Sequence, residues 1–312
     1  QGVAGALGWC MADYNTHREF GSGDRICYHG MLDMFRNPKL AAAVYASQKT
    51  PRSPSDIVLE VSSGMALGDL PGGAPTACWV FTNAESVRLY RGNDYIAAFS
   101  PDRHGRFAAM PHPPIEINDF VGSLLEKYEG MDPPSAQAVA AILNDMRRCA
   151  MELSPLSKAR MLSLRLSWNE VARMYCKYIG ILGSPSPVYR FEAVWHGRVV
   201  GTVVREPVQS VRLECTVHNP ILTDGPTWDC AAVSLRAIDQ NGNLLPYCGE
   251  AVQLRVDGPL KIIGPSVVPL RGGMAGTYLA TTGEAGRAVL HCRMEGALDT
   301  DAVLTIRSRE NG

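Results

Sequence analysis

An apolar run close to the first residue, Val3 to Met11, most constrains what this chain can fold into. Large apolar side chains set among glycines and alanines predict a strand buried on both faces, as in a parallel sheet. Such a strand cannot stand alone, because its backbone N–H and C=O groups need paired neighbours. After the polar loop Asp13 to Asp24, Asn37-Pro38 predicts a helix start, with an N-cap residue before a proline at the first helical position. The alanine-rich run Lys39 to Ser47 is helix-prone, so the sequence predicts one β-loop-α unit without the rest of its sheet.

The charge of the chain is nearly balanced. Its 312 residues include 30 Lys and Arg and 31 Asp and Glu, a formal net charge of −1, and no long run of one sign occurs. Nucleic acid and anionic membrane surfaces are therefore not expected as partners. The first residues are not signal-like, and no apolar run reaches the roughly 18 residues of a membrane span. Homo-oligomerisation is left open by the sequence.

The cysteines and histidines indicate neither a disulfide framework nor a metal site. Nine cysteines occur, an odd number, and no two form a C-x-x-C pair. Most lie in apolar patterns, which predicts buried, reduced thiols in a reducing cytoplasm. The seven histidines show no metal-ligand spacing, so neither zinc nor another cofactor is expected.

After a Pro/Ser linker at Lys49 to Ser55, the pattern changes to that of an antiparallel sandwich. The strand-like runs are Ile57–Val61, Cys78–Phe81, Val87–Tyr90, Val188–Val194 and Val199–Val204. His196-Gly197 predicts the turn of a hairpin between the last two runs. We expect one β-sandwich over residues 51–205.

A helical pattern interrupts this sandwich at about residues 119–183. Apolar side chains recur there at helical spacing, which indicates helices with one face in the core. The clearest such positions are Ala136, Val139, Ala140, Leu143 and Met146. Ser135 stands where it can cap the start of that helix. A helical insertion in one long connection of the sandwich is therefore predicted.

From Pro207 onward the pattern is all-β. Val211, Leu213, Cys215 and Val217 alternate with polar neighbours, which predicts a strand with one wet face. Further strand-like runs, separated by glycine turns, are Val233–Ala237, Val252–Val256, Thr277–Thr281, Ala288–Cys292 and Ala302–Ile306. This spacing predicts an immunoglobulin-like sandwich over residues 206–312, a fold that says little about function by itself.

Four features of the N-terminal unit carry a resemblance to a known family: Trp9, Asp13, the segment Ile26–Gly30 and Asn37-Pro38-Lys39. On these residues the unit resembles the last β/α unit of the catalytic barrel in family 2 glycoside hydrolases, which include β-galactosidases and β-glucuronidases. In that family the eighth barrel strand ends in a tryptophan at the sugar pocket. The helix after it opens with Pro-Lys, and β-sandwich domains follow.

The two sandwich regions extend the resemblance. Thr82-Asn83-Ala84-Glu85 before a strand resembles the first sandwich after the barrel. Val233 to Pro246 and Gly264 to Gly286 resemble the bacterial Ig-like domains that close many members. The expected fold class is mainly β: tandem immunoglobulin-like β-sandwiches, the first with a helical insertion, preceded by the last β/α unit of a (β/α)8 barrel at residues 1–50.

The resemblance implies that the chain is the C-terminal piece of a longer bacterial enzyme, with the upstream barrel of the same protein as its partner. Retaining glycosidases use two carboxyl groups about 5 Å apart. In this family both are glutamates of the fourth and seventh barrel strands, which would lie upstream of Gln1. No catalytic residue is therefore assigned here, and the chain alone is expected to be inactive although its parent hydrolyses O-glycosyl bonds.

Substrate contacts are expected in the loop after the barrel strand, because barrel sites form at the C-terminal ends of strands. Trp9 offers an indole face to the C–H face of a sugar, and the alternative is a core tryptophan. Asp13 either touches the substrate or shapes the site by pairing a loop arginine such as Arg18 or Arg25.

Tyr28 and His29 bear on the substrate class. The glucuronidase branch carries an Asn-x-Lys pair just before the glycine that matches Gly30, and its lysine meets the sugar carboxylate. Here Cys27-Tyr28-His29 stands in that place, and the missing lysine disfavours uronides. Tyr28 or His29 can bond a neutral hydroxyl, so a β-galactoside or similar neutral β-glycoside is the expected carbohydrate substrate, with mannosides left open.

A second function class stays open on the sequence alone. The chain can also be a non-catalytic module whose sandwiches bind carbohydrate or a partner protein. Against this, the other tryptophans are scattered rather than clustered as on a carbohydrate-binding platform. They are Trp79, Trp168, Trp195 and Trp228.

Overall fold

The structure, a computed structural model, describes residues 5, 7–19, 23–62, 77–149, 152–180 and 187–308. These residues form two compact units. One comprises the described parts of Gln1–Ala42 and Val208–Gly312, and the other comprises those of Ala43–Pro207. The chain is mainly β, as predicted. The three-part division at residues 50 and 205 stays a prediction. None of the described helices is both long and apolar enough to cross a membrane.

The N-terminal segment is rich in loops. Its elements are β1 (Tyr14–Asn15), β2 (Ile26–Cys27) and α1 (Leu40–Ala46), and β1 pairs antiparallel with β2. Helix α1 begins later than Asn37-Pro38 predicts. Pro38 forms a bridge with Leu32, and the Asn37 amide donates to the Asp33 carboxylate and the Ala275 carbonyl instead of capping a helix.

The prediction of a doubly buried strand from Val3 to Met11 is wrong for residues 7–11 of this chain; residues 3, 4 and 6 lie outside the described residues. Leu7 is fully exposed, Met11 is 60 % exposed, and residues 7–11 belong to no strand. The described part of the chain provides a single parallel bridge nearby, between Ala12 and Leu32. A strand buried on both faces needs a paired neighbour on each side, and one bridge does not provide them.

The described part of the second unit contains two antiparallel sheets. Its strands are β3 (Leu59–Val61), β4 (Trp79–Thr82), β5 (Ser86–Arg91), β6 (Asp94–Phe99), β7 (Ile115–Glu116), β8 (Tyr189–Trp195) and β9 (Arg198–Arg205). The sheet orders are β3-β4-β7 and β6-β5-β8-β9. His196 and Gly197 both have positive φ, 50° and 72°, as a tight turn between β8 and β9 requires.

Within the described residues, four helices lie between β7 and β8, which confirms the helical insertion. They are α2 (Leu124–Glu129), α3 (Pro133–Arg148), α4 (Pro155–Ser163) and α5 (Trp168–Tyr178). The five apolar positions predicted on α3 are all buried in the core of this unit. The cap of α3 is Asp132 rather than Ser135: its carboxylate accepts the Ser135 N–H. Two prolines fill the first two helical positions, where no N–H is needed.

The C-terminal residues form a two-sheet sandwich. The strands are β10 (Val211–Val217), β11 (Ile221–Asp224), β12 (Cys230–Ile238), β13 (Ala251–Asp257), β14 (Leu260–Ile263), β15 (Val267–Pro269), β16 (Met274–Thr281), β17 (Gly286–Met294), β18 (Ala297–Leu298) and β19 (Thr300–Ser308). One sheet has the order β14-β16-β12-β10-β18 and the other β11-β19-β17-β13-β15. Fully buried side chains of both sheets, such as Leu235 and Leu290, meet in one core.

Candidate functional site

Asp13 anchors the loop that contains the residues predicted to meet a substrate. It is 6 % exposed, and its Oδ1 accepts the Gly30 N–H at 2.8 Å and the Lys39 ammonium at 2.6 Å. Its own N–H donates to the Leu32 carbonyl at 3.0 Å. A buried carboxylate needs such partners, because burial removes its hydration. Asp13 therefore shapes the loop through Lys39. The predicted pairing with Arg18 or Arg25 is wrong for Arg18, which pairs with Glu19, and no ion pair of Arg25 with Asp13 occurs among the described residues.

The contact between Asp13 and Gly30 requires a glycine at position 30. A Cβ on Gly30 would lie 2.2 Å from the Asp13 nitrogen and 2.4 Å from the Leu32 carbonyl oxygen. Both atoms belong to the backbone, so they cannot rotate away as a side chain would. The close approach of the two chain segments is what lets the Gly30 N–H reach the Asp13 carboxylate.

Trp9 presents its indole to solvent. The side chain is 76 % exposed, its Nε1 donates to the Tyr14 hydroxyl at 3.3 Å, and the two rings meet edge to face with centroids 6.3 Å apart. The Trp9–Cys10 peptide bond is cis, and the Cys10 N–H donates to the His29 carbonyl at 3.4 Å. A hydrogen bond with Cys27 is the largest cause that raises the pKa of Tyr14. Within this chain Trp9 is therefore not part of a core, and its role in a sugar pocket stays a prediction.

Tyr28 and His29 differ in their surroundings. The Tyr28 hydroxyl donates to the Asp24 carboxylate and accepts from Arg271, which also forms an ion pair with Asp24. The Lys39 ammonium lies 5.7 Å from the centre of the Tyr28 ring. His29 is exposed, with Nδ1 3.5 Å from Cys27 Sγ. Tyr28 is thus part of a charged cluster, whereas the His29 ring lies at the surface.

Two of the four predicted contact residues line a common cavity. Asp13 and Tyr28, together with Lys39 and Arg271, border a space of about 700 Å³ whose other walls are mainly apolar, among them Phe35 and Met274. Trp9 and His29 are not part of this lining. The structure therefore brings the four predicted residues into one loop system but not onto one surface.

Sequence reasoning missed Lys39 and Arg271 as members of this site. Lys39 follows the proline of the Asn-Pro-Lys motif, so the sequence marked its position but did not indicate its partner Asp13. Arg271 reaches Tyr28 over a separation of 243 residues, and no local pattern marks it. The pairing depends on the sandwich packing against the N-terminal loop.

Segment Asp33–Asn37 holds that loop against the sandwich. The Phe35 carbonyl accepts the Ser234 hydroxyl at 3.1 Å, and the Phe35 ring lies 5.8 Å from that of Tyr278. A Cβ on Gly276 would fall 2.3 Å from Phe35 Cγ, so only glycine leaves room for the ring. These contacts fix the N-terminal loop against β12 and β16.

The site offers binding groups rather than an acid/base pair. Asp13 and Asp24 are both ion-paired, and Glu19 lies beside Arg18 in an exposed pair. Within the described residues, no group of three or more His, Cys, Asp or Glu side chains is placed to hold a metal ion. An exposed indole and charged side chains can stack on and position a ligand.

The sequence of the chain is similar to those of known glycosidases. It is 31 % identical over 274 residues to a β-galactosidase of Thermoanaerobacterium thermosulfurigenes, which covers 87 % of this chain and 30 % of the relative. It is 29 % identical over 294 residues to a β-galactosidase of Thermoanaerobacter pseudethanolicus, covering 93 % and 32 %. The chain thus spans about a third of the length of these relatives. No protein-family model matches it.

Solved structures share the fold. A β-glycosidase from Bacteroides vulgatus aligns over 95 % of this chain and 30 % of its own length, with a TM-score of 0.57 and 13 % identity. A β-glucuronidase from glycoside hydrolase family 2 aligns over 97 % and 25 %, with a TM-score of 0.53 and 12 % identity. At such identities the likeness concerns the fold.

Proposed function

We infer that this chain is the C-terminal part of a retaining β-glycosidase. It is related to β-galactosidases over most of its length, and its fold is found in family 2 glycoside hydrolases. The proposed substrates are terminal β-galactosides or similar neutral β-glycosides. The relationship to two β-galactosidases along 87 % and 93 % of the chain is the observation that carries this proposal.

In this proposal the chain supplies one edge of the sugar pocket and the accessory sandwiches. The 76 % exposed indole of Trp9 supports a stacking role, because a ring held at its edge by Tyr14 leaves a face open for a sugar. The proposed upstream barrel supplies both catalytic glutamates and closes the pocket. The Asp13 anchor keeps the loop between Trp9 and Gly30 in the shape that this pocket needs.

The preference for a neutral sugar rests on the cluster around Tyr28. Cys27, Tyr28 and His29 occupy the place where a uronide-binding lysine is expected, and the ammonium of Lys39 is already bound to the Asp13 carboxylate. A cation that is neutralised by a buried carboxylate gains little from a second one. This favours a hydroxyl-bearing sugar over a sugar acid.

The test compares this chain with its full-length parent on chromogenic β-galactoside, β-glucuronide and β-mannoside. We expect the parent to cleave the galactoside with the highest kcat/KM and the chain alone to cleave none. Turnover by the pure chain that survives joint replacement of Asp13 and Glu19 by alanine would overturn the non-catalytic role. A parent that prefers the glucuronide would overturn the neutral-sugar assignment while leaving the glycosidase proposal intact.

A further inference from the structure

Two cysteines face each other across the C-terminal sandwich. Cys215 lies on β10 in one sheet and Cys292 on β17 in the other, with their Sγ atoms 3.8 Å apart. Both belong to inward-facing positions: Cys292 is fully buried between Leu290 and Met294, and Cys215 alternates with the exposed Thr216. The pair therefore spans the core between the two sheets.

The chain path explains why the sheets are close at this place. After β17, strand β18 crosses over and pairs with β10 in the opposite sheet, and β19 then returns to pair with β17. The Thr300 hydroxyl, opposite Cys292 on β19, donates to the Leu213 carbonyl on β10 at 2.7 Å. Both links contact β10 at residues 211–213, just before Cys215, and keep the two sheets close beside the sulfur pair.

We propose that Cys215 and Cys292 form a redox modification site, at which a hydroperoxide converts the two thiols into an inter-sheet disulfide. A disulfide needs a sulfur–sulfur distance of about 2.05 Å, so the sulfurs have to approach by roughly 1.8 Å. Side-chain rotation at two neighbouring inward positions provides a movement of this size without a change of strand register.

The two thiols have different tasks in this reaction. Cys215 is partly exposed, whereas Cys292 is buried. The Cys292 S–H donates to Cys215 Sγ, which lowers the pKa of Cys215, and the same bond together with burial raises the pKa of Cys292. The thiolate is the attacking form of cysteine, so Cys215 reacts with the oxidant first.

The steps balance with hydrogen peroxide as the oxidant. The Cys215 thiolate attacks one peroxide oxygen, the O–O bond breaks, and hydroxide leaves, which yields a sulfenic acid. The Cys292 sulfur then attacks the sulfenic sulfur, the S–O bond breaks, and water leaves as the Cys292 proton is transferred. The two sulfurs together lose two electrons, and the peroxide is reduced to two molecules of water.

The disulfide would close a loop of roughly 77 residues between the two sheets and should stabilise the sandwich by restricting its unfolded chain. The experiment treats the reduced chain with hydrogen peroxide, blocks remaining thiols under denaturing conditions with N-ethylmaleimide, and maps tryptic peptides without reduction. We expect a linked pair of peptides, residues 213–236 joined to residues 288–293, and a melting temperature raised by roughly 10 °C and restored by dithiothreitol.

Cys230 lies in the same tryptic peptide as Cys215 and provides the matched control. The link should persist in Cys230→Ser and disappear in Cys215→Ser. Labelling of both Cys215 and Cys292 by N-ethylmaleimide after oxidation of the wild-type chain would overturn the proposal, and so would a link that disappears in Cys230→Ser. The peptide map of the wild-type chain decides the question even if Cys215→Ser folds poorly.

Discussion

Lys39 Nζ lies 2.6 Å from Asp13 Oδ1, and the Asp13 side chain in this pair is 2 % exposed. The pair joins the loop that contains Trp9 to the start of α1. It differs in kind from the pair of Arg18 with Glu19, whose side chains are 81 % and 74 % exposed. Burial decides how much each pair contributes to stability. Solvent screens the charges of an exposed pair, whereas a buried charge has lost its hydration and depends on its partner.

Replacing Asp13 by alanine should therefore lower the free energy of unfolding by about 3–5 kcal/mol, because the Lys39 ammonium loses its ion-pair partner and the Gly30 N–H loses its acceptor. Glu19→Ala, which breaks the exposed pair, should change it by less than about 1 kcal/mol. Urea denaturation of both variants measures the two values. Equal losses in the two variants would contradict the anchoring role of Asp13.

Trp9→Ala in the full-length parent tests the stacking role that the proposed function gives this residue. The lost stacking interaction should cost about 1.4–4 kcal/mol of transition-state binding, which lowers kcat/KM by roughly 10- to 1000-fold. The melting temperature should fall by less than it would for a core tryptophan, because a residue that stacks on the sugar packs against fewer side chains of the fold. Trp228, 60 % exposed in the C-terminal sandwich, is the control, and its alanine variant should keep full activity. Unchanged activity per folded molecule of Trp9→Ala would remove Trp9 from the pocket.

Glu129 should make the second unit sensitive to acid. Hydrogen bonds from Lys177 and Tyr178, with the charge of Arg173, lower the pKa of Glu129 below its ordinary value of 4.5. A carboxyl group whose pKa is lower in the folded state stabilises the fold above its unfolded pKa, and this stabilisation is lost as the pH falls through the folded pKa. Glu129→Gln should therefore flatten the decline of unfolding free energy below about pH 4.5.

The control for this pH experiment is Glu126→Gln, which changes an exposed residue on the same helix. Its profile between pH 7 and pH 3 should follow the wild type. If Glu129→Gln retains the full acid-dependent decline, then the contact between α2 and α5 through Glu129 does not contribute to stability.

We expect the buried side chain of Asn144 to stabilise the second unit through its hydrogen bonds. It is 6 % exposed, its Oδ1 accepts the Phe120 N–H at 3.1 Å, and its Nδ2 donates to Asp119 at 2.7 Å and to the Ala140 carbonyl at 2.9 Å. Asn144→Ala leaves a buried N–H without its acceptor, which should cost about 2–4 kcal/mol of unfolding free energy. Gln137→Ala, at an exposed position of α3, should cost less than about 1 kcal/mol in the same thermal or urea titration.

The sequence by itself determined the features that depend on neighbouring residues. The helical spacing of Ala136, Val139 and Leu143 predicts the face of α3 that is buried, and alternation along β10 predicts that Cys215 points inward. Both follow from the geometry of one element, in which side chains three to four residues apart, or two apart, share a face. The succession of a β region interrupted by helices and a second β region follows from the same patterns.

Only the tertiary structure decided which distant groups meet. Lys39 rather than Arg18 pairs with Asp13, Arg271 reaches Tyr28 from the other end of the chain, and Cys292 meets Cys215 across two sheets. Ion pairs and thiol contacts act over a few ångströms, and the sequence does not state which segments come that close. For the same reason the exposure of Trp9 was beyond the sequence, because an apolar run is buried only where other segments of the fold cover it.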